Sequence, residues 1–282
     1  MPTSAKAVRR VHPFVKWAGG KRQLLGEIQA RLPETYGDYY EPFVGGGAVY
    51  FDLVPRGATI NDINSSLINA YWQIRDNPHD VMSALDELDG GQNECEDAKA
   101  YYYDVRERYN VALMSDSYDA VTAALLIYIN KHCFNGLYRV NAKGRFNVPY
   151  NGSTQASYTR ENILGLSEVL SSATITNDDF EAVCSDAKAG DFIFFDSPYV
   201  PVKADTFEAY TKEGFSREEH IRLASLYRKL SDSGCYCMLT NHNTPFIREL
   251  YDGFNIDVVA VRRAINSDAS KRTGTEVIVT NY

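Results

Sequence analysis

The sequence contains no apolar run approaching the roughly 20 residues that a membrane-spanning helix requires, which excludes that architecture. Its opening residues, MPTSAKAVRRVHPF, carry two adjacent arginines but no apolar core of a secretory leader. None of its five cysteines stands in a Cys-x-x-Cys pair, the spacing of zinc and redox sites. Cys235 and Cys237 alternate along a predicted strand, so the expectation is buried thiols in a reducing cytoplasm and no metal. Positive charge is not in surplus either. The formal net charge of -8 argues against a generally basic nucleic-acid protein, although a total says little about local patches. Neither a full Gly-x-Gly-x-x-Gly fingerprint nor the Gly-Lys-Ser/Thr of a phosphate loop is present, so NAD and ATP are poorly supported.

What is present is an ordinary globular composition, 282 residues with 44% hydrophobic and 23% charged side chains, enough for one large domain with an insertion or for two modest ones. Asp38 to Phe43 reads as a strand, Val44-Gly45-Gly46-Gly47 as a tight turn, and Ala48 to Leu53 as a helix. A second apolar run, Ala58 to Asn61, stops at Asp62 and is followed by helical periodicity through Leu67, Ile68, Tyr71 and Ile74. From about Cys95 to His132 the pattern is helical, and Cys133 to Tyr158 is aperiodic and rich in Asn, Gly and aromatics, a long irregular loop by this reading. Alternation then resumes. Asp191 to Phe195 is almost unbroken apolar sequence, as a parallel strand buried on both faces requires. Ser216-Arg217-Glu218-Glu219 has capping-box spacing before a helix, a strand follows at Tyr236 to Thr240, and Phe254 to Val261 and Glu276 to Thr280 read as closing strands. The expected fold is a doubly wound, Rossmann-like α/β sheet over residues 1–76 and 160–282, interrupted by a smaller, mostly helical insertion over 77–159.

A glycine turn between strand and helix lets a ligand approach the backbone, and an acidic residue about 20 positions onward can bond ribose hydroxyls. Gly45 and Asp62 fit this pattern, which a purely structural turn would also produce. Asp62 and Asp196 each end a predicted strand, so both carboxylates point into one crevice of an open sheet, where they need a ligand or donors. Between Asp119 and Glu161 there is no acidic residue, while Lys131, Arg139, Lys143, Arg145 and Arg160 are basic. This window is either a solvated loop or a phosphate-contacting surface.

Asp196-Ser197-Pro198-Tyr199 resembles the Asp-Pro-Pro-Tyr motif of amino-methyltransferases, specifically the Dam family (D12 class) of S-adenosylmethionine-dependent adenine-N6 DNA methyltransferases. The resemblance runs along nearly the whole chain: Phe14-Val15-Lys16-Trp17-Ala18-Gly19-Gly20-Lys21, Glu41 to Gly47, Asp62-Ile63-Asn64, Asn135 to Asn141, Phe146-Asn147-Val148-Pro149 and Asn241-His242-Asn243-Thr244. It implies that Trp17, Lys21, Asp62 and Asp196 contact or adjoin S-adenosylmethionine, that Phe43 and Gly45 wall its pocket, and that Asp179 and Phe180 hold its adenine ring. It also places double-stranded DNA on the cationic window. Arg139 would pair with a guanine edge, Leu137 and Asn141 would touch neighbouring bases, Phe134 would wedge into the stack, and Lys143 and Arg145 would contact phosphates, with Lys16, Asn135 and Pro149 in the same interface. GATC is the target it suggests, in a bacterial or phage-encoded cytoplasmic enzyme. Arg262, Arg263, Lys271 and Arg272 surround a loop near the C-terminus and either grip the backbone or keep a hairpin soluble.

The chemistry of the motif follows from its residues. An adenine amine is a weak nucleophile because its lone pair is delocalised into the ring, so the site must accept both amino protons and direct the lone pair at the methyl carbon. Asp196 supplies one acceptor and the Ser197 carbonyl the other, with Tyr199 against a base that has left the helix. Methylation at cytosine carbon needs a cysteine after proline, which none of the five is. Cytosine N4 is chemically closer, and the Asp196 opening favours adenine. Ser197 stands where the family has proline. The carbonyl survives, but the fixed dihedral is lost and a hydroxyl that could bond locally is gained. The expectation is reduced turnover, raised in Ser197→Pro. The alternatives are full activity, or a DNA-binding homologue that has lost catalysis.

Overall fold

In the computed structural model, which describes residues 11–17, 19–201, 215–262 and 273–282, the strands are β1 (Tyr39–Glu41), β2 (Ala58–Asn61), β3 (Thr174–Thr176), β4 (Phe192–Phe195), β5 (Tyr236–His242), β6 (Asn255–Arg262) and β7 (Thr273–Thr280). They form a 7-stranded sheet in the order β3-β2-β1-β4-β5-β7-β6. β1 pairs in parallel with β2 and with β4, and β4 with β5; β7 runs antiparallel to both β5 and β6. The helices are α1 (Leu25–Gln29), α2 (Ala48–Leu53), α3 (Ser65–Asp76), α4 (Pro78–Glu94), α5 (Ala98–Met114), α6 (Ala120–His132), α7 (Arg160–Leu170), α8 (Phe180–Val183), α9 (Arg217–Asp232) and α10 (Pro245–Leu250). This mixed α/β, mostly parallel sheet is the Rossmann-like fold expected. None of the described helices is long and apolar enough to cross a membrane.

The chain divides into two compact units. One gathers the described residues up to Gly20, Gly45–Val54 and Asn64–Ile175; the other gathers Lys21–Val44, Pro55–Ile63 and the described residues from Thr176 onward. In the sheet unit, all of Phe192–Phe195 is buried, which is why the sequence there shows no alternation. Ile193, Phe195, Cys237, Leu239, Val277 and Val279 pack with Leu223, Tyr227 and Leu230 of α9. The Tyr227 hydroxyl donates to the Cys237 carbonyl at 2.9 Å, so this buried ring keeps its polar tip satisfied. Ser216 caps α9 through the Glu219 amide at 3.2 Å, half of the expected capping box.

In the helical unit, Asn64, Asp119 and Thr159 cap α3, α6 and α7 with their side chains, and Pro78 opens α4 where a missing amide costs nothing. The segment after α6 is more ordered than its aperiodic sequence suggests. Phe134–Gly136 makes a short 3-10 turn, and bridges join Cys133 to Tyr150 and Val140 to Phe146. Helix side chains satisfy its backbone. Asn110 donates to the Phe146 carbonyl at 3.1 Å and accepts its amide at 2.7 Å, while the Tyr102 hydroxyl donates to the Val148 carbonyl at 2.9 Å. Ala18, Arg263, Lys271, Arg272 and the side chain of Arg262 lie outside the described residues.

Candidate active site and nucleic-acid interface

The loop leaving β4 begins at Asp196. Lys21, whose side chain is only 4% exposed, brings its ammonium to 2.5 Å from Asp196 Oδ1, and the Thr240 hydroxyl donates to the same oxygen at 2.9 Å. Both contacts fall on Oδ1. Burial raises the Asp196 pKa above the ordinary carboxylate range, while the charge of Lys21 and the bonds from Lys21 and Thr240 oppose the rise. The Tyr199 hydroxyl donates to Glu276 Oε2 at 2.9 Å. Its ring lies 4.6 Å from the Lys21 ammonium and edge-on to His242, with centroids 4.8 Å apart. Burial, with the nearby Asp196 and Glu276 charges, holds the phenol far above its usual pKa, so Tyr199 stays neutral. Pro198 is exposed. Ser197 is buried, and its hydroxyl has no partner among the described residues, so the local bond that serine could have made is not formed.

Within the same unit, Phe43 and the buried Phe180 approach to 5.4 Å, and Phe215 meets both rings. Asp62 is half-buried just past β2, and Ile63 beside it is 73% exposed. Asp179 caps α8, accepting the Glu181 amide at 3.0 Å on Oδ1, and its Oδ2 is paired with Arg222. The Arg222 guanidinium also lies 4.2 Å over the Phe180 ring. Sequence reasoning missed Arg222, and it missed Asn61. The buried Asn61 amide donates to the carbonyls of Pro42 and Asp178 and accepts from the Thr176 hydroxyl and the Asp178 amide. It thereby ties the loops after β1 and β3 to the end of β2. A polar residue closing the apolar run Ala58 to Ile60 was the available signal.

In the helical unit, Gly45 has φ 49°, and a Cβ there would come 2.9 Å from Trp17 Cδ1, so the turn needs glycine for both conformation and space. The Trp17 ring stacks on Tyr138 at 5.0 Å. The predicted DNA contacts all belong to this unit. Asn130 accepts the Lys16 amide at 2.8 Å and donates to the Lys16 and Gly136 carbonyls, joining Lys16 to the 3-10 turn. Phe134 is 52% exposed, Asn135 adopts a left-handed φ of 56°, and the Pro149 carbonyl accepts the Phe134 amide at 2.8 Å. Leu137 is half-buried, and Arg139 and Lys143 are exposed. Arg139 Nε donates to Asn147 at 2.7 Å. The Asn141 side chain accepts the Lys143 and Arg145 amides and shapes the turn. Arg145 is paired with Glu107 of α5, so the window lacks acidic residues in sequence but not in space.

The sequence matches the family model for the D12 class N6 adenine-specific DNA methyltransferases over residues 17–265. The chain belongs to that family. It is 42% identical over 277 residues to the type II methyltransferase M1.LlaDCHI of Lactococcus lactis subsp. cremoris, with 96% of each chain covered. It is 39% identical to the type II methyltransferase M.MjaIII of Methanocaldococcus jannaschii, covering 96% of this chain and 99% of that one. The DNA adenine methylase of Escherichia coli K12 is 30% identical over 98% of this chain and 96% of its own. This D12 chain is accordingly an adenine-specific DNA methyltransferase that uses a methyl donor. The cysteines agree with amine rather than ring-carbon chemistry: Cys133, Cys184, Cys235 and Cys237 are buried, and burial pushes the Cys133 thiol up to about 11.

Proposed function

We propose that this enzyme transfers the methyl group of S-adenosylmethionine to N6 of an adenine swung out of duplex DNA, within GATC. The observation that carries the reading is the Asp196 carboxylate: Oδ1 holds Lys21 and Thr240, which leaves Oδ2 and the Ser197 carbonyl as the pair of acceptors for the amine protons. Lys21 opposes the rise that burial imposes on the Asp196 pKa, and the neutral Tyr199 ring offers a face for the base. The proton lost from N6 leaves through Asp196 or solvent.

The residues present suit the donor. Phe43 and Phe180 offer apolar faces for an adenine ring, Ile63 is unusually exposed for an apolar side chain, and Asp62 beside it is an acceptor for ribose hydroxyls. When bound, S-adenosylmethionine supplies an electrophilic methyl group on a sulfonium centre. Asp179 accepts the donor's adenine amine in this reading, sharing its carboxylate with Arg222. On the DNA side, Arg139 reads a guanine edge, Leu137 and Asn141 lie beside it, and Phe134, exposed on its turn, fills the space of the extruded base. Lys16, Lys143, Arg145, Asn135 and Pro149 complete the contact with the backbone.

The test is transfer of a radiolabelled methyl group to duplexes with and without GATC, followed by nucleoside analysis. N6-methyladenine confined to GATC duplexes is expected. Label in N4-methylcytosine, or equal labelling of duplexes lacking GATC, would overturn the base or the site assignment. Binding of GATC duplex without transfer would identify a reader that has lost catalysis.

A further inference from the structure

The C-terminal end of β5 and the middle of β7 grip the Asp196–Val200 loop at three of its residues. Thr240 donates to Asp196 Oδ1 at 2.9 Å. Asn241, fully buried, accepts the Val200 amide at 3.0 Å on Oδ1, and the same oxygen accepts the His242 amide at 2.9 Å. His242 Nδ1 lies 2.7 Å from the Val200 carbonyl. A carbonyl only accepts, so Nδ1 carries the hydrogen and donates. Glu276, which faces His242 across the β5–β7 pair, accepts the Tyr199 hydroxyl at 2.9 Å. Val200, the residue after the motif, thus has both its amide and its carbonyl fixed by consecutive side chains of one strand. A strand inside a sheet is rigid, and these bonds pass that rigidity to a loop that has no regular backbone pairing of its own.

We propose that Asn241 and His242 are positioning residues for methyl transfer, holding Asp196 and Tyr199 in register with the target amine through Val200. The inference rests on the reading of Asp196–Tyr199 as the catalytic loop. Ser197 makes the clamp more necessary, because serine leaves open the dihedral that a proline would fix. Neither residue is assigned a contact with the donor or the base, so their loss acts on the rate of the chemical step and not on binding. A displacement of the reacting groups by about 1 Å is enough to lower a rate about 100-fold.

His242→Asn and His242→Leu separate positioning from bulk. The asparagine Nδ2 can take the place of the imidazole Nδ1 as a donor to Val200, whereas leucine fills similar space without one. Single-turnover kcat, KM for a GATC duplex, the S-adenosylmethionine Kd by calorimetry and the melting temperature are measured for both, with Asp196→Ala as a reference. The expected result is that His242→Leu loses about 10- to 100-fold in kcat with KM and Kd within about twofold of the parent, and that His242→Asn recovers most of the loss. Asn241→Ser, which shortens the acceptor, should lower kcat in the same way. Parent-like kcat in a folded His242→Leu enzyme, or no recovery in His242→Asn, would overturn the clamp. If Asp196→Ala itself stays active, the reading of the loop fails instead, and the two failures are distinguishable.

Discussion

Replacing Lys21 by methionine tests the charge arrangement at the candidate site most directly. The pair spans 2.5 Å, with Lys21 4% and Asp196 18% exposed. At an effective dielectric constant of about 20, two unit charges at that distance attract by about 6–7 kcal/mol. Much of that offsets the desolvation of both groups, and removing one partner of a buried pair typically costs about 3–5 kcal/mol. Asp196 keeps some exposure and the Thr240 bond, so the lower end, about 3 kcal/mol, applies. At roughly 2 °C per kcal/mol for a chain of this size, the melting temperature should fall by about 6 °C at most, and by less where the carboxyl takes up a proton. Burial already raises the Asp196 pKa and Lys21 opposes that rise, so in Lys21→Met the pKa moves higher still. The ionised form is needed to accept the amine proton, so activity is lost as pH falls through the folded pKa, and the acid limb of kcat moves to higher pH in the variant. Stability has the opposite sign: the folded state binds this proton more tightly than the unfolded chain, so the defect in melting temperature shrinks as pH is lowered. The assay is kcat against pH at saturating duplex and donor, with thermal melts across the same range and Lys21→Arg as the charge-retaining control. An acid limb that does not move in Lys21→Met would refute the role given to the pair.

Glu107→Gln releases Arg145 from its ion pair; the slope of log Kd against log salt for a GATC duplex should steepen by about 1, and an unchanged slope would remove Arg145 from the phosphate contacts. Arg222→Gln frees the Asp179 carboxylate. An exposed pair contributes about 0.2–1 kcal/mol, so calorimetry should show the donor binding up to about fivefold tighter, and weaker binding would mean that Arg222 itself holds the ligand. Gly45→Ala puts a Cβ 2.9 Å from Trp17 at a φ of 49°; the backbone alone costs about 1–2 kcal/mol, so the melting temperature should drop. An unchanged melting temperature there would mean that the turn does not need glycine.

How much of this was legible in the sequence depended on where each segment finds its hydrogen-bond partners. The strand Phe192–Phe195 was visible because both faces are buried and its side chains record that directly. The Ser216 cap was visible because the partner amide lies three residues away. The order of the segment after α6 was not, since Asn110 and Tyr102 of α5 satisfy its backbone from another element, and no period in the sequence encodes that. The same limit applies to the site. The family motifs brought Lys21, Asp196 and Tyr199 to notice as separate words, and the structure joins them into one contact. Arg222 on Asp179 and Glu107 on Arg145 cross 43 and 38 residues of sequence, and only folding shows that two residues expected to meet ligands are already engaged.

Ser197 is where the two levels pull apart. From the sequence, losing proline frees a dihedral and adds a hydroxyl able to divert the loop into a local bond. In the structure the hydroxyl is buried without a partner among the described residues, and Asp196, Tyr199 and Val200 are each bonded to β5 or β7. Among the described residues the hydroxyl therefore diverts nothing, and an unsatisfied buried group costs about 1–3 kcal/mol. Ser197→Ala removes that cost and should raise the melting temperature, whereas Ser197→Pro also fixes the dihedral. If backbone freedom at this position limits turnover, kcat rises in Ser197→Pro with KM little changed, and does not rise in Ser197→Ala. A kcat that is the same in the parent and in a folded Ser197→Pro enzyme would mean that the bonds from β5 and β7 already supply the constraint that proline would have given.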